Sequence, residues 1–206
     1  MRVLELFSGT ESFSKEARAI GHETFTIESN PSHKPDLVAN ILEFNPLDLP
    51  WRPDIIWASP PCTAFSVASI GHHWTGGNKA YIPKTEGAKI GLKLLERTIK
   101  IIKIIEPKHF YIENPRGLMR KMDIWETLPC VRRTVTYCQY GDTRMKPTDI
   151  WTNNLLWIPR TMCKNGDPCH VSAPRGSRTG TQGLKGNKER SIIPAELCKE
   201  ILRGLV

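Results

Sequence analysis

Cys62 follows two prolines in Ser59-Pro60-Pro61-Cys62, and the prolines follow the apolar run Asp54-Ile55-Ile56-Trp57-Ala58. That run has the length and composition of a buried strand. Proline fixes φ near about −65° and brings no N–H to a strand partner, so the strand stops there and the thiol stands on a stiff loop. A second apolar run, His109-Phe110-Tyr111-Ile112, ends in Glu113-Asn114-Pro115. Ligands of open α/β sheets bind at the carboxyl ends of strands. The chain therefore offers a nucleophilic thiol and an acid–base carboxylate at two such ends, the pairing needed for covalent catalysis with a proton transfer.

The elements that must position these groups are legible around them. Residues 2–7 read as a first strand, Phe13 to Ile20 as a helix closed by Gly21, and Glu23 to Ile27 as a second strand. Leu37 to Ile41 is a short third strand or its edge. Residues 66–83 are polar and glycine-bearing and read as a mobile loop, with His72, His73 and Trp74 as candidates for contacting a ligand. Lys84 to Ile105 has helical spacing, with Ile90, Leu94, Leu95, Ile101 and Ile105 on or near one face, and Pro107 stops it. Val131 to Tyr137 and Ile150 to Trp157 read as strands that pair antiparallel. Alternating strands and helices imply an α/β fold, Rossmann-like, with a mainly parallel sheet and helices on both faces. Ile193-Pro194-Ala195 opens a final helix. Residues 1–158 with 189–206 form the expected catalytic domain, and 159–188, rich in glycine, lysine and arginine, a short loop-rich basic segment.

The strand–turn–helix Leu6-Phe7-Ser8-Gly9-Thr10-Glu11-Ser12 lets a ligand approach the backbone near a helix N-terminus. Glu28 ends the second strand about 20 residues on, where an acid can meet ribose hydroxyls. With 206 residues, 29 Lys plus Arg against 21 Asp plus Glu, and a net charge of +8, the chain favours a polyanionic partner. Six cysteines are too sparse for a disulfide scaffold. No signal peptide is visible and no stretch approaches the roughly 20 apolar residues of a membrane span. A reducing cytoplasm with free thiols is the expectation. Cys163, Cys169 and His170 raise a zinc reading, with Cys130 or Cys138 as further ligands, but Cys-x5-Cys-His is not a standard knuckle. Unpaired thiols and no metal are therefore expected.

In order, Leu6-Phe7-Ser8-Gly9, Glu28, Pro60-Pro61-Cys62 and Glu113-Asn114 resemble the motif series of DNA cytosine-5 methyltransferases. Gln139-Tyr140-Gly141 with Arg144 and Lys146 is similar to the later basic motif, and Arg190 to Ile201 loosely resembles the last. The chain's brevity is closest to compact bacteriophage-encoded members, which would place it in a host cytoplasm. The resemblance implies methyl transfer from S-adenosylmethionine to cytosine carbon 5 in double-stranded DNA. It implies a base flipped out of the duplex and attacked at carbon 6 by Cys62. Glu113 serves the ring nitrogen, Asn114 orients, and Arg144 and Lys146 contact the nucleotide. Phe7, Ser8, Gly9, Thr10, Ser12, Glu28, Asn40, Ile41 and Pro60 would hold the cofactor. Ser66, Arg175, Arg178 and Gln182 would meet DNA, and a monomer is implied. Three positions depart from the family pattern: Glu11 stands for a second glycine, Asn40 for an acid and Thr148 for a second arginine. They leave open a DNA-binding relic, and the short recognition segment leaves open an RNA or nucleotide acceptor.

Overall fold

A computed structural model describes residues 1–77, 80–172 and 187–205. Five parallel strands form first: β1 (Arg2–Leu6), β2 (Glu23–Glu28), β3 (Leu37–Val38), β4 (Ile55–Ala58) and, after the small pair β5 (Trp74–Thr75) and β6 (Ile82–Pro83), β7 (His109–Pro115). The hairpin β8 (Val131–Thr136) and β9 (Pro147–Thr152) completes a seven-stranded sheet of order β3-β2-β1-β4-β7-β9-β8. β9 inserts antiparallel between β7 and β8, so β8 runs in the same sense as β7. The turn joining β8 to β9 is thereby delivered to the edge where β4 and β7 end.

β1 and β4 are short because they are buried on both faces, which only near-continuous apolar sequence tolerates. The helices divide between the two faces, as expected. α1 (Ser12–Ala19) and the last helix cover one face, packing Phe13, Ala17, Leu197, Ile201 and Leu202 onto Val3, Trp57 and Tyr111. Phe13 stacks on Trp57 at 4.5 Å between ring centroids. After the four-residue α2 (Ile70–His73), α3 (Glu86–Ile105) covers the other face with Leu95, Ile99 and Ile102. It starts two residues later than its periodicity suggests because Thr85 caps it, its hydroxyl accepting from the Ala88 N–H at 3.2 Å. α4 (Asn187–Ser191) and α5 (Ala195–Arg203) close the chain.

Residues 66–77 and 80–83, read from sequence as a loop, carry the short α2 and the β5–β6 pair. Trp74 is buried, donates its indole N–H to the Ala64 carbonyl at 2.6 Å and packs on Phe65 at 5.5 Å. His73 shares a hydrogen bond with the Thr85 hydroxyl at 2.6 Å. The aromatic expected at a ligand instead pins the loop that follows Cys62.

Candidate functional site

β4 and β7 are hydrogen-bonded neighbours, with Ala58 paired to Ile112, so the residues that leave their ends are brought together. Cys62 is exposed on the turn past β4, its carbonyl accepting from the Phe65 and Ser66 N–H groups at 3.0 Å each. Asn114 ties the two strand ends: its amide donates to the Pro60 carbonyl at 2.8 Å, while its buried Oδ1 has no partner among the described residues. Glu113 is buried and accepts from the Tyr137 hydroxyl at 2.9 Å. Tyr137 begins the β8–β9 turn, and Lys146 ends it. The Lys146 ammonium lies 4.5 Å over the Tyr137 ring and donates to the Arg190 carbonyl at 2.8 Å.

These charges act on one another. The Cys62 thiol is pushed above its ordinary value of 9.0 by desolvation, with the Glu113 carboxylate adding to the push and Lys146 and Arg190 opposing it. Burial lowers the Lys146 ammonium, while Glu113 and Cys62 hold its proton on. Thiol, carboxylate and ammonium thus form one electrostatic cluster.

Arg144 acts on that cluster from one side, helping to lower the Lys146 ammonium. It is buried in an ion pair with Asp142, and its guanidinium also reaches the carbonyls of Glu189 and Arg190 at 3.3 and 3.5 Å. The side chain expected at the nucleotide anchors the chain leading into α5. Asp142, two residues earlier, was the visible signal. Burial opposes ionisation of Asp142, but hydrogen bonds from Arg144 prevail and hold its carboxyl below the usual range.

A cavity of about 320 Å³ opens beside the thiol loop, bounded by Phe7, Gly9, Glu28, Asn40, Ile41 and Pro61, with Ser29, His33, Ser59, Leu94 and Ser191 completing it. Phe7, Gly9 and Glu11 all take positive φ, at 58°, 44° and 54°. The turn is therefore left-handed at the position where a glycine is usual, and Glu11 accepts that conformation. Its carboxylate turns away to pair with Arg18. Glu28 accepts from the Gly9 N–H at 3.2 Å and from the Asn30 N–H at 3.0 Å, which holds the turn against the β2 end. Asn40 closes its own turn by accepting from Leu42 N–H at 3.1 Å. Ser8 is buried, its hydroxyl without a partner among the described residues, and Thr10 and Ser12 share a hydrogen bond at 2.9 Å. Ser12 also accepts from the Ile193 N–H at 3.2 Å.

Of the residues expected at a cofactor, Phe7, Gly9, Glu28, Asn40 and Ile41 line this cavity; Pro60 is buried behind Pro61. Ser8, Thr10 and Ser12 do not line the cavity. A mainly apolar cleft with a few convergent polar groups suits a ligand of the size and mixed polarity of S-adenosylmethionine. Thr148, standing for a second arginine, is fully buried. Ser66 is exposed beside Cys62, whereas Arg175, Arg178 and Gln182 lie outside the described residues. Tyr137 beside Glu113, and His33, Leu94 and Ser191 in the cavity wall, were not read as site residues because tertiary folding alone brings them there.

Cys138, Cys163, Cys169 and His170 converge at a second place, their ligand atoms all within 4.8 Å of one another. The thiols are unpaired, and they lie close together because the chain after β9 folds back against the turn after β8. Cys130 is elsewhere, packed against the α3-side core.

Residues 1–140 match the family model of C-5 cytosine-specific DNA methylases. The chain is 36% identical over 221 residues to the "Probable DNA (cytosine-5)-methyltransferase" of Frog virus 3, covering 98% of this chain and 99% of that protein. Among solved structures, the S. pombe Dnmt2 methyltransferase superposes with a TM-score of 0.53 at 15% identity, over 74% of this chain and 50% of that one. The Entamoeba histolytica methyltransferase EhMeth gives 0.53 at 13% identity, over 74% and 52%. The chain thus spans nearly all of the viral relative but about half the length of these solved structures, which show the shared fold.

Proposed function

The chain belongs to the C-5 cytosine-specific DNA methylase family, and from that premise we propose that it methylates carbon 5 of cytosine in double-stranded DNA. The methyl comes from S-adenosylmethionine, and the route is a covalent bond between Cys62 and carbon 6 of a flipped-out base. The observation that carries this is the electrostatic cluster of Cys62, Glu113 and Lys146 at the joined ends of β4 and β7.

Cytosine carbon 5 is a weak nucleophile. Cys62, as thiolate, adds to carbon 6; the carbon 5–carbon 6 π pair then becomes available at carbon 5, and Glu113 holds a proton at the ring nitrogen. S-adenosylmethionine, when bound, supplies a methyl group carried on a cationic sulfur, with the neutral thioether as leaving group. Loss of the carbon 5 proton to a base restores the double bond, expels the Cys62 thiolate and returns the ring-nitrogen proton to Glu113. Tyr137 fixes the Glu113 carboxyl through its 2.9 Å hydrogen bond. Lys146 favours the thiolate form of Cys62. Asn114 keeps the Pro-Pro-Cys loop in register with Glu113. Glu28, Asn40 and Ile41 would hold the adenosine end of the cofactor, and Ser8 the amino-acid end. A base must leave the stack to present its ring face to a thiol. The net charge of +8 favours the phosphate backbone, and residues 159–188 are the segment proposed to read DNA.

The test is trapping on an oligonucleotide duplex containing 5-fluorocytosine, in which carbon 5 bears no removable proton. With S-adenosylmethionine present, the protein should become covalently attached through Cys62, and Cys62→Ala should neither trap nor transfer label from methyl-labelled cofactor. Cofactor binding without transfer to any DNA across a random-sequence library would refute the proposal, and labelling of RNA alone would move the acceptor.

A further inference from the structure

We propose that Cys138, Cys163, Cys169 and His170 form a tetrahedral Zn²⁺ site that clamps the segment after β9 to the turn after β8. The measured separations carry this. The Cys138 and Cys163 sulfurs are 3.1 Å apart, those of Cys169 and Cys138 3.6 Å, and the His170 Nδ1 lies 3.7 Å from Cys163 and 3.5 Å from Cys169. Zinc–sulfur and zinc–nitrogen bonds of about 2.3 and 2.0 Å place tetrahedral ligands roughly 3.5 to 3.8 Å apart. Three of the four separations are already there, and the fourth needs to open by about half an ångström. Three thiolates and an imidazole form a soft donor set closed to solvent chemistry, the composition of a structural rather than a catalytic zinc.

The surroundings suit such an ion. Cys138 and Cys163 are buried, and Cys169 and His170 close the outer side. The Gln139 side-chain amide donates toward the Cys169 sulfur at 3.4 Å, a contact that strengthens when the sulfur is a thiolate. Backbone contacts already hold the ligands in place: Cys163 N–H donates to the Thr136 hydroxyl at 3.2 Å, and Val171 N–H to the Thr143 carbonyl at 2.9 Å. Binding would release the three thiol protons to solvent. The imidazole proton would sit on Nε2, and the long 3.5 Å contact from the Gly166 N–H to that nitrogen would be given up.

A second observation asks for a clamp. No helix or strand forms from Asn153 to Ser172, although this stretch runs against the domain. A connection of that length without secondary structure is uncommon in a compact domain unless something else fixes it. The four ligands sit at both sides of this stretch's contact with the Tyr137–Tyr140 turn, whose first residue holds Glu113. One ion would therefore hold the basic segment's point of departure at a fixed place beside the site.

The experiment is metal analysis of the full chain purified without chelator. The proposal expects close to one zinc per chain, released by a mercurial reagent, and a cobalt-exchanged protein with the intense visible bands of tetrahedral thiolate coordination. Cys163→Ser and His170→Ala should lose most of the zinc, while Cys130→Ser keeps it. Should the ligand variants fail to fold, zinc content and cobalt spectrum of the unmutated chain still decide. A metal-free, folded wild-type protein overturns the proposal, as does peptide mapping that finds Cys138 and Cys163 joined as a disulfide.

Discussion

Gly117 controls the nucleophile loop, and Gly117→Ala tests that control. Its backbone is extended, with φ at −166°, so alanine brings no dihedral strain. The obstacle is space: a Cβ built there lies 2.3 Å from the Phe65 carbonyl oxygen and 3.3 Å from its carbon. That oxygen accepts the Leu118 N–H at 2.8 Å, and the Phe65 N–H is bonded to the Cys62 carbonyl at 3.0 Å. Phe65 itself is buried. The backbone must therefore retreat by roughly 0.7 Å or more, since packed interiors do not absorb such overlap. Overpacking costs about 1–3 kcal/mol, and a weakened hydrogen bond adds about 1, so urea denaturation should show a loss of about 2–4 kcal/mol. The displaced segment carries Cys62 three residues away. A misplacement approaching 1 Å lowers single-turnover methyl transfer by up to about a hundredfold. Cofactor binding should be largely kept, because Gly117 does not line that cavity. Gly71→Ala, whose Cβ meets nothing within 4 Å, is the control. A Gly117→Ala protein with unchanged stability and full transfer would show that the loop is not held as described.

The Cys62 thiol, raised by desolvation and by Glu113, is ionised only above its ordinary value of 9.0, so its alkylation by iodoacetamide should keep rising past that pH. Glu113→Gln removes a raising charge and should move the curve to lower pH; Lys146→Met removes a lowering one and should move it higher, and two shifts of the same sign would contradict the cluster. Burial raises Glu5 from 4.5 to about 7 in the folded protein, against hydrogen bonds from Ser14 and Phe13 that pull it down. Because the folded value is the higher, the associated stability is complete below pH 4.5 and is lost as pH rises through about 7. Glu5→Gln should gain roughly 3 kcal/mol relative to the parent between those limits, and parallel stability–pH curves for the two proteins would refute the assignment.

The parts of this molecule that were legible are those whose signal is local. β4 announces itself as an unbroken apolar run, and β1 as one interrupted only by Glu5, because a doubly covered parallel sheet demands apolar sequence. Pro60 and Pro61 end β4 for a reason contained in the residues themselves. α3 shows its 3.6-residue stripe, and only Thr85, a better cap than Lys84, moves its start. What could not be read depends on partners distant in sequence. Trp74 looks like a glycine-loop aromatic until Phe65 and Ala64 supply its pocket. Nothing near Thr148 and Asp149 in sequence marks them as buried, yet β9 lies between β7 and β8, and Asp149 is fully buried with Arg120 donating at 2.9 Å and Thr134 at 2.8 Å. Glu11 reads as a substitution against the cofactor until its left-handed backbone and its Arg18 partner are seen. The cysteine–histidine cluster joins residues 138 and 169 across a turn and an irregular stretch, a closure that spacing alone does not encode.

The stacked rings of Phe13, Trp57 and Tyr111 acquire their cover from α5, the last helix of the described chain. Translation runs from β1 onward, so during synthesis the ribosome lays down almost the whole sheet before the residues that shield this aromatic layer emerge. Until then a nascent chain carries a wet, sticky flank, an open invitation to chaperones and to other unfinished copies. That flank is covered only when Leu197, Ile201 and Leu202 dock.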